Sequence, residues 1–142
     1  MNLANDSLAL PLIGMFTLTM LVWLYMFVRR MSYIAAHKLE AQDMKTPAEV
    51  ENLIPDEVAA SSHNLRNLFE VPVIFYAVCL YLMLVGQVDQ MHVYCAWGFL
   101  AFRVLHSLIH CSYNAVIHRF AVYIVSCLAL WVMVVRALMG VL

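Results

Sequence analysis

Ionisable and amide side chains stand directly before a long apolar stretch, residues 71–86. Four of them occur at positions i, i+3, i+4 and i+7 of one segment, namely His63, Arg66, Asn67 and Glu70. A helix through this segment would present all four on one face, as a polar stripe entering a membrane span. Charged groups there cost several kcal/mol unless they face a bundle interior, so the pattern favours a functional site. The structural alternative is helix–helix packing, with Arg66 paired to Glu70.

A second polar stripe follows on the next apolar stretch, at positions i, i+3, i+4, i+7 and i+11. It consists of Arg103, His106, Ser107, His110 and Asn114. The last apolar stretch opens with Arg119, and Tyr123 lies one turn further on the same face. At a rise of about 1.5 Å per residue, Glu70 lies about 24 Å from the end of its span at Gly86. His110 lies about 26 Å from the start of the next span at Val93, on the same side of the membrane as Gly86. We therefore expect both stripes and Arg119 to converge at one depth.

The composition is that of an integral membrane protein. The 142 residues are 65% hydrophobic and 12% charged, and their mean hydropathy is +0.83. A net charge of −1 provides no basic field for nucleic acid. The four cysteines form no Cys-x-x-Cys pair, so we interpret them as small apolar fillers. The expected partners are membrane lipids, a hydrophobic small molecule, further copies of this chain and other membrane subunits.

Four spans account for nearly the whole chain, at about 8–28, 65–86, 92–111 and 119–138. They predict an all-α fold, a four-helix bundle that forms one domain over residues 1–142. The polar segment 29–62 is a connecting loop with a short amphipathic helix, and the second helix is expected to begin at Asp56 and kink at Pro72. Lys and Arg lie in the first and third connections, which predicts that both are cytoplasmic. Both termini are then on the outer side, and the expected location is a bacterial inner membrane.

Three groups of these residues carry a resemblance to a known family. They are Arg66-Asn67-x-x-Glu70 with Pro72 after it, Arg103-x-x-His106, and Arg119 with Tyr123. Over essentially its whole length, the chain resembles a bacterial-type member of the MAPEG family, membrane-associated proteins in eicosanoid and glutathione metabolism. The resemblance implies a homotrimer of four-helix subunits, with a site between protomers that binds glutathione. It further implies a transferase or peroxidase whose lipophilic substrate arrives through the bilayer.

The resemblance also implies roles for individual residues. Arg119 matches a catalytic arginine that stabilises the thiolate of glutathione, since a thiol with a pKa of about 8.5 needs a nearby cation to ionise at neutral pH. The residues that match glutathione-binding or neighbouring positions are His63, Arg66, Asn67, Glu70, Arg103, His106, His110 and Tyr123. Three positions depart from the family pattern, because His63 replaces an arginine, His110 a tyrosine and Phe120 a serine.

Two other interpretations stay open at the level of sequence. His106 and His110 are spaced i, i+4 on one helix face, and with His63 and Glu70 they could ligate a metal or haem. Alternatively, the protein is a non-catalytic lipid-binding protein or an accessory subunit of a membrane complex, and the polar stripes specify packing. The sequence contains no glycine-rich phosphate loop and no Gly-x-Ser-x-Gly motif that would indicate a soluble active site.

Overall fold

The computed structural model describes residues 7–142, and it is helical with connecting turns over that range. Its helices are α1 (Ala9–His37), α2 (Pro47–Leu53), α3 (Asp56–Leu68), α4 (Val71–Val85), α5 (Gln90–Cys111) and α6 (Val116–Met139), with a 3-10 turn at Ala41–Met44. Four stretches of the described chain are long and apolar enough to cross a membrane: α1, α3 continued by α4, α5, and α6. The predicted all-α fold and multi-pass integral membrane protein are therefore confirmed. Residues 1–6 of the predicted domain lie outside the described part.

The first helix continues well beyond the predicted end of its span near residue 28. It passes through Arg29 and Arg30 and ends at His37, where Lys38 adopts a left-handed backbone with φ 52°. The Arg29 guanidinium donates from Nη1 to the Tyr25 hydroxyl and from Nη2 to the Glu57 carbonyl, both at 3.0 Å. This anchors the extension of α1 against the beginning of α3. Apolar composition thus located the span, whereas the helix extends beyond it.

The second span is divided into two helices at Phe69 and Glu70. Glu70 leaves helical geometry, with φ −99° and ψ −101°, and α4 begins at Val71 with Pro72 in its first turn. Proline has no N–H to continue the hydrogen-bond ladder, and its ring would clash with the carbonyl four residues earlier, at Leu68. The chain therefore ends α3 at Leu68 and restarts in a new direction. This is the kink that the position of Pro72 predicts.

The four spans pack as a bundle around one apolar core. α6 packs along α5, α1 packs against α3, and α4 lies chiefly against α6. Phe75 of α4 and Phe99 of α5 are fully buried, and their rings stack with centroids 4.4 Å apart. Large apolar side chains such as Phe16 and Trp131 are exposed on the outer faces of the spans. Such a surface suits contact with lipid.

A short connection joins α4 to α5. Gly86 ends α4 with a left-handed φ of 70°, which glycine adopts without strain. Asp89 then caps α5, accepting a hydrogen bond from the His92 N–H at 2.8 Å, and its other carboxylate oxygen pairs with Arg136 of α6. Partial burial opposes ionisation, but the His92 N–H and the Arg136 guanidinium together hold the pKa of Asp89 below its usual value.

The connecting segment between α1 and α3 is ordered by its own capping interactions. Thr46 forms a capping box with Glu49, whose carboxylate accepts from the Thr46 N–H at 2.8 Å while the Glu49 N–H donates to the Thr46 hydroxyl at 3.3 Å. Helix α2 follows, and Ile54 after it is buried. The predicted short helix within this loop is therefore present, and it lies beside the start of α3.

Candidate functional site

Arg119 lies in the first turn of α6, after a tight connection in which Asn114 adopts a left-handed backbone with φ 49° that asparagine tolerates. Its Nη1 donates hydrogen bonds to Asn114 Oδ1 at 2.7 Å and to His110 Nε2 at 3.2 Å. Both acceptors are neutral, and no carboxylate in residues 7–142 forms an ion pair with Arg119. The positive charge of Arg119 is therefore held in place without being neutralised.

Arg119 holds His106 and His110 of α5 in defined tautomers. A guanidinium can only donate hydrogen bonds, so His110 accepts at Nε2 and carries its hydrogen on Nδ1. His106 Nδ1 lies 3.1 Å from the Arg119 carbonyl, which can only accept, so His106 also carries its hydrogen on Nδ1. Its buried Nε2 then presents a lone pair, and no hydrogen-bond partner for this atom stands among the described residues. His106 is therefore a hydrogen-bond acceptor at that position.

A cavity of about 210 Å³ opens beside these groups, and we call it the Arg119 cleft. It is lined by Asn67, His106, Val116, Arg119, Phe120 and Tyr123. Asn67 is fixed from α3, because its amide donates to the His63 carbonyl at 3.1 Å. The ring centroids of His106 and Tyr123 are 5.9 Å apart. The cleft is thus lined by an amide, an imidazole ring, a cation and a phenol.

Arg103 is placed behind Tyr123 and does not line the cleft. Its side chain is fully buried, and its guanidinium carbon lies 4.9 Å from the centroid of the Tyr123 ring and 5.3 Å from that of Phe99. None of its three nitrogen atoms has a hydrogen-bond partner within residues 7–142. Cation–π contacts with these two rings replace the hydration that Arg103 loses on burial. In this structure Arg103 therefore supports Tyr123 through packing.

The remaining predicted site residues lie elsewhere. Glu70 is exposed at the break between α3 and α4, and no ion pair joins it to another described residue, so the expected pairing with Arg66 is not formed. His63 and Arg66 line a different cavity, which they share with the end of α1 and the connecting segment. Adjacent helical residues are rotated by about 100° from each other, so Arg66 and Asn67 face opposite sides of the polar stripe. The stripe is divided between two cavities.

Asn64 is a buried polar residue that the sequence pattern did not single out. It is fully buried, its amide nitrogen donates to Cys111 Sγ at 3.4 Å, and its amide oxygen accepts from the Ser107 hydroxyl at 3.4 Å. These contacts join α3 to α5. The sequence does contain a signal for the burial of Asn64. It lies four residues before the apolar Leu68, so both residues share the face of α3 that packs into the bundle.

The arrangement of donors bears directly on the metal or haem interpretation. Among the described residues, no three His, Cys, Asp or Glu side chains stand close enough to hold a metal ion. His110 Nε2 is already occupied by the Arg119 hydrogen bond, and His63 faces the other cavity. The ligands that α3 would have to supply are therefore not gathered around His106.

Comparison with known proteins gives one match. The model of the MAPEG family matches residues 8–139, nearly the whole chain. At the thresholds applied, no curated protein and no solved structure matches the chain.

Proposed function

The chain belongs to the MAPEG family, and on this premise we propose that it binds glutathione in the Arg119 cleft and uses its thiolate on lipophilic substrates. The observation that carries the proposal is the Arg119 guanidinium, which is oriented by two neutral acceptors and has no carboxylate partner in residues 7–142. A cation held in this way can stabilise a thiolate, because no carboxylate among residues 7–142 neutralises its charge. Family membership supplies the class of chemistry, transferase or peroxidase.

The groups of the cleft fit the steps that such chemistry needs. Arg119 lies at the N-terminus of α6, so the helix dipole adds to its positive charge at the position of the sulfur. The thiol proton can leave to solvent as the thiolate forms beside Arg119, and the Tyr123 hydroxyl can donate a hydrogen bond to that thiolate. The Asn67 amide can hold the peptide part of glutathione, and Glu70, exposed three residues further along the chain and outside the lining of the cleft, can pair with its amino group.

Two of the matched residues act in this proposal through their neighbours. His110 orients Arg119 by accepting its Nη1 hydrogen, and Arg103 fixes the ring of Tyr123. His63 and Arg66 are not part of the proposed cleft within one protomer, since they line the other cavity.

We further propose that the working protein is a homotrimer and that the cleft is completed by a second subunit. A volume of about 210 Å³ lies below the roughly 300 to 1,000 Å³ of ordinary ligand pockets. Val116, Ile117 and Phe120 stand beside its mouth and are 64%, 81% and 61% exposed. A neighbouring subunit packed on these side chains would enlarge and close the site. The clefts are placed at the cytoplasmic face of a bacterial inner membrane, with both termini outside, on the charge bias of the loops.

A second candidate is a non-catalytic lipid-binding or accessory subunit. The observation in its favour is that Arg119, His110 and Asn114 bond to one another, as groups that only stabilise packing would do. Phe120, exposed beside Arg119, also places an apolar ring where the family pattern has a serine. The two candidates differ in whether Arg119 acts on a thiol.

Turnover by the purified full-length protein separates the two candidates. Glutathione would be supplied with a lipophilic aryl halide, to follow the thioether, and separately with a fatty-acid hydroperoxide, to follow the alcohol. The proposal expects one product to form, and its rate of formation to fall about tenfold or more in Arg119→Gln but not in His118→Gln. His118 is a suitable control because it is an exposed neighbour whose ring contacts Tyr113, and it is not among the residues that line the Arg119 cleft. Product formation by neither substrate, or equal rates for Arg119→Gln and the parent, would favour the accessory subunit.

A further inference from the structure

A cavity lies at the end of the bundle opposite the Arg119 cleft, and the proposed glutathione chemistry does not use it. Its volume is about 490 Å³, and we call it the Arg136 cavity. It is bordered by the connection between α4 and α5, by His92 in the first turn of α5 and by the last turn of α6. Two contacts join these parts, since Gln87 Nε2 donates to the Gly140 carbonyl at 3.2 Å and Arg136 pairs with Asp89. The fold therefore holds the walls of the cavity together.

His92 has a buried nitrogen atom without a partner in the wall of this cavity. The residue is 3% exposed, and its Nδ1 accepts from the Asp89 N–H at 3.2 Å, so the neutral ring carries its hydrogen on Nε2. Protonation of the ring would add a hydrogen on Nδ1, which lies 2.9 Å from Asp89 Oδ1, and would leave the Nε2 hydrogen in place. No atom of residues 7–142 accepts a hydrogen bond from Nε2. Because a buried donor without an acceptor destabilises the protein, a ligand that supplies an acceptor here is favoured.

The pair of Asp89 and Arg136 has unused hydrogen-bonding capacity on both sides. Arginine has five N–H donors, and two of those of Arg136 donate to Asp89 Oδ2, which leaves three without an acceptor in the described chain. A carboxylate accepts about four hydrogen bonds, and that of Asp89 receives three, one from the His92 N–H and two from Arg136. A ligand with one sign of charge would be repelled by one partner of the pair, whereas a zwitterion is attracted to both.

The depth of the Arg136 cavity places these groups at a membrane surface. Helix α6 has 24 residues, or about 36 Å, and Arg136 in its last turn lies about 26 Å along the helix from Arg119. The hydrocarbon core of a bilayer is about 30 Å thick, so the Arg136 cavity and the Arg119 cleft lie at opposite headgroup layers. Val88 and Met139 add apolar surface to the lining, and Met139 is 70% exposed. A zwitterion attached to acyl chains would contact both the charged and the apolar surface.

We propose that the Arg136 cavity binds a zwitterion in which a phosphate is joined to a primary ammonium. The phosphate oxygens accept from Arg136 and from His92 Nε2, and the ammonium donates to the Asp89 carboxylate. The same chemistry can come from the ethanolamine headgroup of a phospholipid in the adjacent leaflet or from soluble phosphoethanolamine. The cavity shares no lining residue with the Arg119 cleft, so the proposal does not rest on glutathione binding.

The test measures how added ligand raises the thermal unfolding midpoint of the detergent-solubilised full-length protein, followed by tryptophan fluorescence. Dioctanoyl phosphatidylethanolamine is the zwitterionic probe. Dioctanoyl phosphatidylcholine has the same chains and a quaternary ammonium that cannot donate a hydrogen bond, and dioctanoyl phosphatidylglycerol has the phosphate without an ammonium. Phosphoethanolamine represents the soluble source. Each affinity is measured against the ligand-free midpoint of the same variant, which separates ligand binding from the stability of the fold.

The variants separate the proposed ligand contacts from structural effects. Arg136→Gln removes the cation of the cavity. In His92→Gln the amide nitrogen can take the position of Nε2, whereas in His92→Asn the shorter amide reaches only the position of Nδ1. Gln90→Ala is the matched control, because Gln90 is an exposed neighbour of Asp89 that does not line the cavity.

We expect the parent to bind phosphatidylethanolamine about fivefold more tightly than either other lipid, and Arg136→Gln and His92→Asn each to weaken that affinity about fivefold. His92→Gln, Gln90→Ala and Arg119→Gln should leave it within about twofold. Stabilisation by phosphatidylethanolamine but not by phosphoethanolamine identifies a lipid headgroup as the ligand. Stabilisation by both, lost in Arg136→Gln and His92→Asn, identifies a soluble zwitterion.

Four results would overturn the proposal. The first is binding of phosphatidylcholine or phosphatidylglycerol as tight as that of phosphatidylethanolamine, because the cavity would then not select an ammonium joined to a phosphate. The second is parental affinity in both Arg136→Gln and His92→Asn, and the third is an equal loss in Gln90→Ala. The fourth is an equal loss in His92→Gln and His92→Asn, which would give His92 a structural role only.

Discussion

Replacing Arg119 with glutamine removes a positive charge from the cleft while leaving a side chain that can still donate to Asn114 or His110. A unit charge about 4 Å from the sulfur, at an effective dielectric of about 20, is worth about 4 kcal/mol. Arg119 is only half-buried, so solvent screening reduces that figure to roughly 1.5 to 3 kcal/mol. At 1.36 kcal/mol per pKa unit, the ionisation constant of bound glutathione should fall about 10- to 100-fold.

The assay is a pH titration of the thiolate ultraviolet absorbance of bound glutathione. In the parent protein the thiolate should persist below neutral pH, and in Arg119→Gln it should appear only at alkaline pH. Arg119→Lys should lie between the two, because it keeps the charge and loses the planar fork. His118→Gln should titrate like the parent. An unchanged titration in Arg119→Gln, with the variant folded and glutathione bound, would refute the role given to this residue.

Three further predictions concern stability and assembly. Asn64→Ala should lower the free energy of unfolding by about 1 to 2 kcal/mol, because it breaks the α3–α5 link and leaves Ser107 without that acceptor; chemical denaturation would measure it. Because the folded pKa of Asp89 is lowered, its pair with Arg136 should stabilise the fold fully above about pH 4 and lose that effect as the pH falls through the folded pKa. Asp89→Asn should therefore have a lower unfolding midpoint than the parent at pH 7, and the difference should shrink as the pH is lowered below about 4. Crosslinking in detergent should stop at a trimer, and protease should reach terminal tags only from the outer side. A dimer would contradict the proposed homotrimer, and cytoplasmic termini would contradict the charge-bias argument.

The sequence predicted the spans and the main elements of the cleft for clear physical reasons. The length of an apolar stretch alone locates a membrane span, because the thickness of the hydrocarbon core sets how many apolar residues a span needs. The proline rule located the break after Leu68. The helical rise brought His106, His110 and Arg119 to the same level, and the structure joins these three by hydrogen bonds.

The division of the polar stripe on α3 could not be predicted in the same way. Residues at i, i+3, i+4 and i+7 share a face about 100° wide, and a face of that width can border two neighbouring cavities. Which residue faces which cavity depends on how α1 and the connecting segment pack against α3, and neither has a periodic pattern. Lys45 was unremarkable in the sequence for this reason, although the Thr46 capping box holds its segment beside Arg66.

The same limit applies to Asn64 and Arg103. Both lie on spans whose polar residues were expected to face a ligand, yet both are fully buried against protein side chains. Burial is decided by the neighbouring helix, through contacts such as the Ser107 hydroxyl for Asn64 and the Tyr123 ring for Arg103. Spacing along one helix contains no information about those partners.

The most direct test of the central claim is the thiolate absorbance of the purified parent protein titrated with glutathione at pH 7. We predict a saturable thiolate signal that S-methylglutathione, which cannot ionise, displaces without producing a signal of its own. A sample analysed for metal in parallel should give the same signal after chelation, since Arg119 supplies the charge. If glutathione fails to bind, or binds with its thiol protonated at neutral pH, the claim that this cleft activates a thiol is contradicted.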